Sequence, residues 1–284
     1  MSRFSKFAKF GAAAAAAVLL LSGCAGSAED GSNSDSAASA SGYVTEGKIT
    51  FATSKPAYAP WVLNDDPASG EGLEAAVAVA LAKELGFEGD DVVWVREQFD
   101  ASIAPGPKTW DLNFQQFSVT EERKQAVDFS NAYYTTTQAV VAAAGTSAAK
   151  ASSIADLKDA VIGVQSGTTS LAAVESQIAP NTDVQVFNSN EDAVAALQVG
   201  QIDALVVDLP SAYYVRDVQL EGEGVIVGQL VGEGVSGDDF AFVLPKGSKI
   251  LADVNKALEN LRNEGTLDEL AAKWLANLDA PILK

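Results

Sequence analysis

Residues 111–130 read DLNFQQFSVTEERKQAVDFS, a strand-like run that passes into a charged segment. We predict a strand over residues 111–118, with Arg123 shortly beyond its end. Because open α/β sheets bind ligands beyond the carboxyl ends of their strands, Arg123 is a candidate ligand-binding residue. The alternative is a solvated helix arginine, since three charged residues surround it.

Strand-like and helix-like runs alternate on both sides of this stretch. Further strands are predicted at residues 49–52, 92–95, 161–164 and 204–207, and helices at residues 190–199, 250–261 and 267–275. Apolar residues recur at every fourth position from Leu73 to Leu85, which indicates an amphipathic helix that Gly86 ends. Alternating strands and helices favour an α/β fold with largely parallel sheets. The roughly 237 residues from Lys48 onward could form one large domain or two smaller ones.

The N-terminus has the pattern of an export signal. Three basic residues precede an apolar run of 11 residues, 11–21, which is shorter than the roughly 20 residues that span a bilayer. The next residues lead into Cys24, the only cysteine of the chain. Leu21-Ser22-Gly23-Cys24 resembles the lipobox of a bacterial lipoprotein. The resemblance implies that residues 1–23 are a signal peptide and that Cys24 is acylated; the alternative is an ordinary secretory signal with a chance cysteine.

Residues 25–46 consist mainly of Ala, Gly, Ser, Asp and Glu. Such a composition buries too little apolar surface to order itself, so we predict that residues 24–46 are the lipidated cysteine and a flexible tether. A coil of about 22 residues spans roughly 25 Å, enough to hold a folded domain just off the membrane. The sequence therefore predicts a protein attached by lipid to the extracytoplasmic face of the cell membrane.

The chain is acidic, with 38 Asp and Glu residues against 19 Lys and Arg residues. The segment before Cys24 holds three of the basic residues and no acidic one, so the mature chain has a net charge near −22. Such a surface repels phosphate backbones and anionic lipid, which excludes nucleic acid as a partner. Membrane attachment must then come from the lipid rather than from a basic patch.

The chain has no histidine, and the lipobox resemblance implies that the thiol of Cys24 is acylated. Ser-His-Asp and Cys-His catalytic sites are therefore excluded, together with the usual zinc and copper ligands. No stretch has the ligand spacing of a calcium loop. We predict no cofactor, no metal and no catalytic residue, and a binding protein is a simpler expectation than an enzyme.

Five segments, in order, resemble the amino-acid-binding proteins of ABC importers, the polar-amino-acid family of solute receptors. The most specific block is Phe117 to Arg123, which runs into Val127 to Ser130. The others lie within residues 72–87, 154–169, 200–208 and 240–274. The first of them departs from the family at Ala76, where the family has an acid. The resemblance covers nearly all of residues 47–277.

The resemblance implies a two-lobed periplasmic-binding-protein fold of the α/β class. Two hinge strands join the lobes, and the second lobe interrupts the first. Lobe 1 then comprises residues 47–139 and 239–284, and lobe 2 comprises residues 140–238. The ligand lies in the cleft between the lobes, beyond the carboxyl ends of the strands.

The resemblance also implies where the carboxylate of an α-amino acid binds. Arg123 offers a planar, permanently charged fork that binds two oxygens at once. Thr168 and Thr169 follow a buried strand, so their N–H groups open a helix and face an anion, and a hydroxyl adds a further donor. The alternative for the threonines is simple helix capping, and both roles can hold together.

The ammonium group of the ligand is assigned to Asp208, which ends a hydrophobic strand just before Pro210. The alternative is that Asp208 caps the helix that begins at Pro210. By the same resemblance, Ser118 and the backbone around Gln116 complete the shell of the ammonium.

Four residues bear on which amino acid is bound. Tyr58 and Phe99 stand where the family has aromatic residues beside the ligand, and each could instead be part of the core. Basic-amino-acid receptors of the family resemble one another in carrying an acid where this chain has Lys55, which implies a bias against cationic ligands; the alternative is that Lys55 points into solvent. Gln116 is bulkier than the small residue usual in the family, so it shrinks the pocket or adds an amide contact.

The implied function is that of a monomeric extracytoplasmic receptor that delivers a polar amino acid to an ABC permease and its ATPase. Two alternatives stay open. One is a lipid-anchored enzyme, because some dehydratases of cyclic amino-acid precursors share this fold. The other is a ligand sensor that acts through a membrane partner. The identity of the amino acid does not follow from the sequence.

Overall fold

The computed structural model describes residues 41–232, 237–275 and 278–284. The predicted signal peptide, Cys24 and most of the predicted tether lie outside these described residues. Within the described ranges, no helix is both long enough and apolar enough to cross a membrane.

Strands and helices alternate along the described chain, as the sequence predicts. The strands are β1 (Ile49–Thr53), β2 (Val92–Arg96), β3 (Leu112–Asn113), β4 (Val127–Phe129), β5 (Tyr134–Thr136), β6 (Gln138–Ala143), β7 (Ile162–Gln165), β8 (Gln185–Phe187), β9 (Ala204–Asp208), β10 (Gly224–Leu230), β11 (Asp238–Phe240) and β12 (Val243–Pro245). The α-helices are α1 (Leu73–Glu84), α2 (Phe99–Ile103), α3 (Thr169–Ala173), α4 (Asn190–Gln198), α5 (Leu209–Tyr214), α6 (Leu251–Asn263) and α7 (Thr266–Trp274).

The strands form two five-stranded sheets and one two-stranded sheet. The first sheet has the order β2-β1-β3-β12-β4, and the second has the order β10-β6-β9-β7-β8. In the first sheet β1 is parallel to β2 and β3, whereas β12 is antiparallel to β3 and β4. The chain crosses from the first sheet to the second through β5 and returns through β11, and these two strands pair with each other. The part of the chain that builds the second sheet therefore interrupts the part that builds the first sheet.

Each large sheet has its own apolar core. All five residues of β1 and eight of the twelve residues of α1 are buried, and Ile49 and Phe51 of the strand join Leu81 of the helix in one cluster. In the second sheet, Val140 and Val141 of β6 belong to separate clusters on opposite faces. Because both faces of the central strands are covered, these strands consist of continuous apolar runs.

The strand predicted over residues 111–118 pairs as a strand only at Leu112–Asn113. Gln116 has a φ of 52°, in the left-handed region, and this turns the chain out of the sheet. Ser118 then makes an isolated bridge to Phe240. The segment therefore ends the sheet earlier than its composition predicts, with polar side chains in the turn.

The last residues of the chain contact the second sheet. Ile282 makes an isolated bridge to Gln229 of β10, and Leu283 is buried in a core cluster of the second sheet. The structure differs here from the predicted assignment of residues 239–284 to lobe 1, because the apolar side chain of Leu283 finds its partners across the boundary.

Candidate ligand-binding site

A cavity of about 140 Å³ lies between the units built on the two large sheets. One water needs only ~10–15 Å³ of such space, so the cavity has room for a small organic molecule. All nine residues that the sequence predicts as ligand-binding line it: Lys55, Tyr58, Phe99, Gln116, Ser118, Arg123, Thr168, Thr169 and Asp208. Most of the other lining residues are polar as well, so a matching occupant presents polar groups of its own.

Arg123 lines the wall of the cavity and is only 8% exposed. It begins a short 3₁₀ turn, Arg123–Gln125. Its Nη1 donates to the carbonyl of Ser118 at 2.7 Å, and its Nη2 donates to the carbonyl of Gly167 at 2.9 Å. Burial lowers the pKa of Arg123 while nearby carboxylates raise it, and a guanidinium stays charged in proteins. With five N–H donors, it can still receive an anion.

Asp208 ends β9 and belongs to a hydrogen-bonded group of polar side chains. Gln138 Nε2 donates to Asp208 Oδ1 at 2.8 Å and to Asp238 Oδ2 at 2.7 Å. Thr169 Oγ1 donates to the same oxygen of Asp238 at 2.8 Å. Burial, followed by the charge of Asp238, raises the pKa of Asp208 to about 7. A cationic group in the cavity would therefore stabilise the ionised form of Asp208, in addition to the charge interaction that Asp208 has with Arg123.

The two helix-capping alternatives have different outcomes. The Thr168 hydroxyl accepts a hydrogen bond from the Leu171 N–H at 3.3 Å, so it caps α3. Asp208 occupies the N-cap position of α5, but its side chain accepts no capping hydrogen bond. Its carboxylate is bound to Gln138 instead, in the lining of the cavity.

The remaining predicted residues have distinct surroundings. The ring centroid of Phe99 lies 5.4 Å from the guanidinium carbon of Arg123, so Phe99 supports this cation as well as lining the cavity. Tyr58 hydrogen-bonds Glu191, and burial, followed by the charge of Glu191, raises the pKa of Tyr58 well above its ordinary value. Lys55 lines the cavity and is exposed.

Direct hydrogen bonds join the two halves of the molecule around the cavity. The hydroxyl groups of Ser118 and Thr169 lie 3.1 Å apart. Trp61 Nε1 donates to Ser211 Oγ at 2.9 Å. Together with the bond from Arg123 to Gly167, these contacts hold the halves in a closed arrangement.

Sequence reasoning misses three polar residues next to the site. Gln138 is the first residue of β6 and Asp238 is the first residue of β11, and Gln138 joins the carboxylates of Asp208 and Asp238. Glu74 is 1% exposed and accepts a hydrogen bond from the Gln116 N–H at 2.8 Å. Glu74 lies in a family-like segment, but its partner is 42 positions away, so the sequence carries no local sign of the contact.

Comparison with known proteins identifies the chain's relatives. Residues 49–277 match the bacterial extracellular solute-binding proteins, family 3. An L-arginine-binding protein of Pseudomonas aeruginosa is 28% identical over 240 residues, which cover 80% of this chain and 90% of that protein. The ABC transporter glutamine-binding protein GlnH of Bacillus subtilis is 28% identical over 216 residues, which cover 74% of this chain and 75% of that protein.

A solved structure with the same fold is an ancestral arginine-binding protein bound to glutamine. It has a TM-score of 0.68 and 31% sequence identity, and the match covers 82% of this chain and 100% of that one. The predicted two-lobed α/β fold is thereby confirmed, and so is the predicted family. These relatives support a substrate-binding role. The chain belongs to family 3 of the bacterial extracellular solute-binding proteins.

Proposed function

We propose that this chain captures a polar amino acid by closing its two lobes and delivers the amino acid to an ABC permease. One observation carries the proposal: a buried cation, Arg123, and the carboxylate of Asp208, whose pKa is raised by burial and by Asp238, line the same cavity. An α-amino acid carries the two complementary charges. Arg123 binds its carboxylate through charge-assisted hydrogen bonds, and Asp208 binds its ammonium.

The neighbouring groups complete both ends of the ligand in this proposal. Thr168 and Thr169 add N–H donors and a hydroxyl near the carboxylate. Ser118 and the backbone around Gln116 add to the ammonium shell. The hydrogen bonds that cross the cavity support closure over the ligand, since each of them is made only when the lobes are together.

The side chain of the ligand meets Tyr58 and Phe99 in this proposal, and Lys55 selects against a cationic side chain. The polar lining supports a polar ligand rather than an aliphatic one. One relative is named for arginine and another for glutamine, so the comparison is between a cationic and a neutral side chain of the ligand. A neutral amide or a carboxylate is the side chain that Lys55 favours.

We propose that β5 and β11 are the two hinge strands. The predicted boundary after residue 139 falls inside β6, which belongs to the second sheet. Lobe 1 then comprises residues 47–137 and the chain from residue 239 through α7, and lobe 2 comprises residues 138–238. The C-terminal segment that contacts Gln229 accompanies lobe 2. The pairing of β5 with β11 supports this division, because the chain passes between the large sheets at these strands.

The protein works at the extracytoplasmic face of the cell membrane, to which acylated Cys24 and the tether of residues 24–46 attach it. It acts as a monomer on its own ligand and meets the permease at the membrane. The support is the lipobox-like sequence together with the extracellular character of the family.

A binding screen tests the proposed function. The full chain, purified in detergent, is heated with each common L-amino acid, and a ligand at 100 times its Kd stabilises it by about 2.7 kcal/mol. We expect one or a few polar amino acids to raise the melting temperature. The bound compound is then recovered and identified by mass spectrometry. Recovery of a chemically altered compound supports an enzyme on this scaffold, and no stabilisation by any amino acid contradicts the proposal.

A further inference from the structure

Glu74 is a buried carboxylate that the proposed binding mechanism does not use. It lies in the first turn of α1 and is 1% exposed. Its Oε1 accepts hydrogen bonds from the Gln116 N–H at 2.8 Å and from the Tyr133 hydroxyl. Its Oε2 accepts a hydrogen bond from Gln116 Nε2. Two of these three bonds come from one residue, so Glu74 fixes both the main chain and the side chain of Gln116.

Gln116 lines the cavity in a conformation that needs such support. Its φ of 52° lies in the left-handed region, which costs free energy for a residue with a side chain. Its N–H donates a hydrogen bond to the Glu74 carboxylate at this turn. The carboxylate thus stabilises the turn that brings Gln116 to the cavity.

The chemistry of a carboxylate decides which way round the Gln116 amide lies. Burial raises the pKa of Glu74 to about 7, although hydrogen bonds from Tyr133 and Gln116 lower it, so the carboxylate is ionised above about pH 7. In that form it only accepts hydrogen bonds, so the amide turns Nε2 toward Glu74. Among the residues that the structure describes, none donates a hydrogen bond to Gln116 Oε1. The end of the amide that stays available to an occupant of the cavity is therefore an oxygen, which accepts and cannot donate.

Gln116 and Asp208 line the same cavity. Glu74, which is hydrogen-bonded to Gln116, has a charge interaction with Asp208, and burial together with the charges of both carboxylates raises the pKa of Tyr133. We propose that Glu74 is a positioning residue that holds Gln116 Oε1 as a second acceptor, beside Asp208, for the ammonium of the bound amino acid. This inference rests on the proposed function.

An exchange of the acid and the amide tests the inference. In Glu74→Gln the new amide can donate to Gln116 Oε1, which lets the Gln116 amide turn over and present N–H groups to the ligand ammonium. We expect affinity to fall about tenfold, because a hydrogen bond to a charged group is lost. In the double variant Glu74→Gln/Gln116→Glu, the amide donates to the carboxylate, whose other oxygen is again an acceptor. We expect affinity to return to within about threefold of wild type.

A second pair of variants separates positioning from folding. Gln116→Met removes the amide but leaves the buried carboxylate in place, and we expect the same loss of about tenfold. Adding Glu74→Gln to this variant should change affinity by less than about twofold, since the two residues act through one contact. Glu84→Gln is the matched control: it lies at the exposed end of α1, where its carboxylate accepts a hydrogen bond from Asn260, and should leave affinity unchanged.

All variants are titrated calorimetrically, as full chains, with each of the twenty common L-amino acids, and their thermal unfolding is recorded. Wild-type affinity in Glu74→Gln, or an exchanged double variant that binds no better than Glu74→Gln, overturns the inference. If Glu74→Gln fails to fold, wild-type affinity in Gln116→Met overturns it instead. A wild-type chain that binds none of the amino acids contradicts the proposed function itself.

Discussion

Arg123 has two tasks, because the guanidinium that lines the cavity also donates to two main-chain carbonyls. Arg123→Ala removes hydrogen bonds to a charged group, each worth roughly 1.5–3 kcal/mol. We therefore expect affinity for the amino acid to fall at least about tenfold. We also expect a lower melting temperature, since the carbonyls of Ser118 and Gly167 lose their donor. Calorimetric titration and thermal unfolding measure the two effects.

The matched control for this prediction is Lys124→Ala. Lys124 is the next residue and is also basic, but it is exposed and pairs with Glu121. Exposed pairs contribute little to stability, so this variant should bind and melt like the wild type. An unchanged Kd in Arg123→Ala would remove Arg123 from the site.

Asp208 is proposed to bind the ligand, and its ionised carboxylate lowers the stability of the folded, ligand-free protein. Its pKa is raised to about 7 from 3.8, by burial first and then by Asp238, so the folded chain binds this proton more tightly than the unfolded chain. The proton on Asp208 therefore stabilises the folded chain. This contribution is full below pH 3.8, the ordinary pKa of the group, and is lost as the pH rises through about 7. We expect Asp208→Asn to raise the free energy of unfolding of the ligand-free chain at pH 8 and to change it little at pH 4. Denaturant unfolding at both pH values measures this.

The same variant should bind the amino acid less tightly, because an amide does not attract an ammonium as a carboxylate does. A gain in stability at pH 8 together with a loss of affinity is the expected pair of results. Equal denaturant midpoints at pH 8 for wild type and Asp208→Asn would contradict the argument about burial.

Lys55 tests how the site selects a side chain. It lines the cavity but is exposed, so both alternatives from the sequence stay open. Two cations about 4 Å apart repel by roughly 1 kcal/mol in water and about 4 kcal/mol at an effective dielectric of 20. We expect glutamine, glutamate or asparagine to bind the wild type more tightly than arginine or lysine, and Lys55→Asp to narrow or reverse this order. A competition assay with these five amino acids decides.

The outcome is informative because relatives of this chain include proteins named for arginine. Arginine or lysine as the tightest wild-type ligand would refute the proposed bias. An unchanged ranking in Lys55→Asp would mean that Lys55 is merely exposed.

At the scale of elements, α5 contacts proposed lobe 1 through the side chain of Ser211. Trp61 is fully buried and its Nε1 donates to Ser211 Oγ at 2.9 Å. Ser211→Ala removes the acceptor and should destabilise the closed arrangement by about 0.5–1.5 kcal/mol, which weakens ligand binding about two- to tenfold. The dissociation rate of the ligand, measured by stopped-flow tryptophan fluorescence, should rise accordingly.

The control for this contact is Ser176→Ala. Ser176 is exposed and its hydroxyl donates only to the Ala172 carbonyl of its own helical segment. This variant should release ligand at the wild-type rate. A dissociation rate in Ser211→Ala that equals that of Ser176→Ala would show that the Trp61 contact does not contribute to closure.

The elements that periodicity predicts well are those whose apolar residues form one continuous pattern. The pattern from Leu73 to Leu85 gives α1, and the apolar runs give β1 and β9. Residue 72 has to be glycine, for a reason that the sequence alone does not show. Its φ is 100°, and a Cβ there would lie 2.5 Å from the Trp61 carbonyl oxygen. The local sequence pattern thus predicts the helices and strands, whereas the close contact between Gly72 and Trp61 is visible only in the structure.

Site residues at strand ends could be predicted from the sequence. Site residues that hydrogen-bond partners far away in the sequence could not. Arg123 and Asp208 follow strands, and a family likeness adds their roles. Gln138 is the first residue of β6 and reads as an ordinary strand residue, yet it binds Asp208 and Asp238, which lie 70 and 100 positions away. The strand predicted over residues 111–118 ends early for a similar reason, since Glu74 stabilises the turn at Gln116.

On the scale of the whole molecule, each large sheet has its own apolar core, and a polar cavity lies between them. Hydrogen bonds are among the contacts that close the cavity. An arrangement of this kind can open at modest cost, because such bonds exchange with water. A hinge of two strands between separate cores is therefore consistent with capture and release of a ligand.

The proposed membrane attachment of the whole molecule gives the last prediction. A mature chain that begins at Cys24 has a net charge near −22 and would be repelled by anionic lipid, so the proposed attachment depends on acylation of Cys24. We expect the wild type to stay with membranes after a high-salt wash, and mass spectrometry to find a lipid-modified Cys24 at its N-terminus. Cys24→Ser should be released or keep its uncleaved signal, whereas Ser27→Ala in the predicted tether should behave as the wild type. An unmodified residue other than Cys24 at the mature N-terminus would refute lipid anchoring.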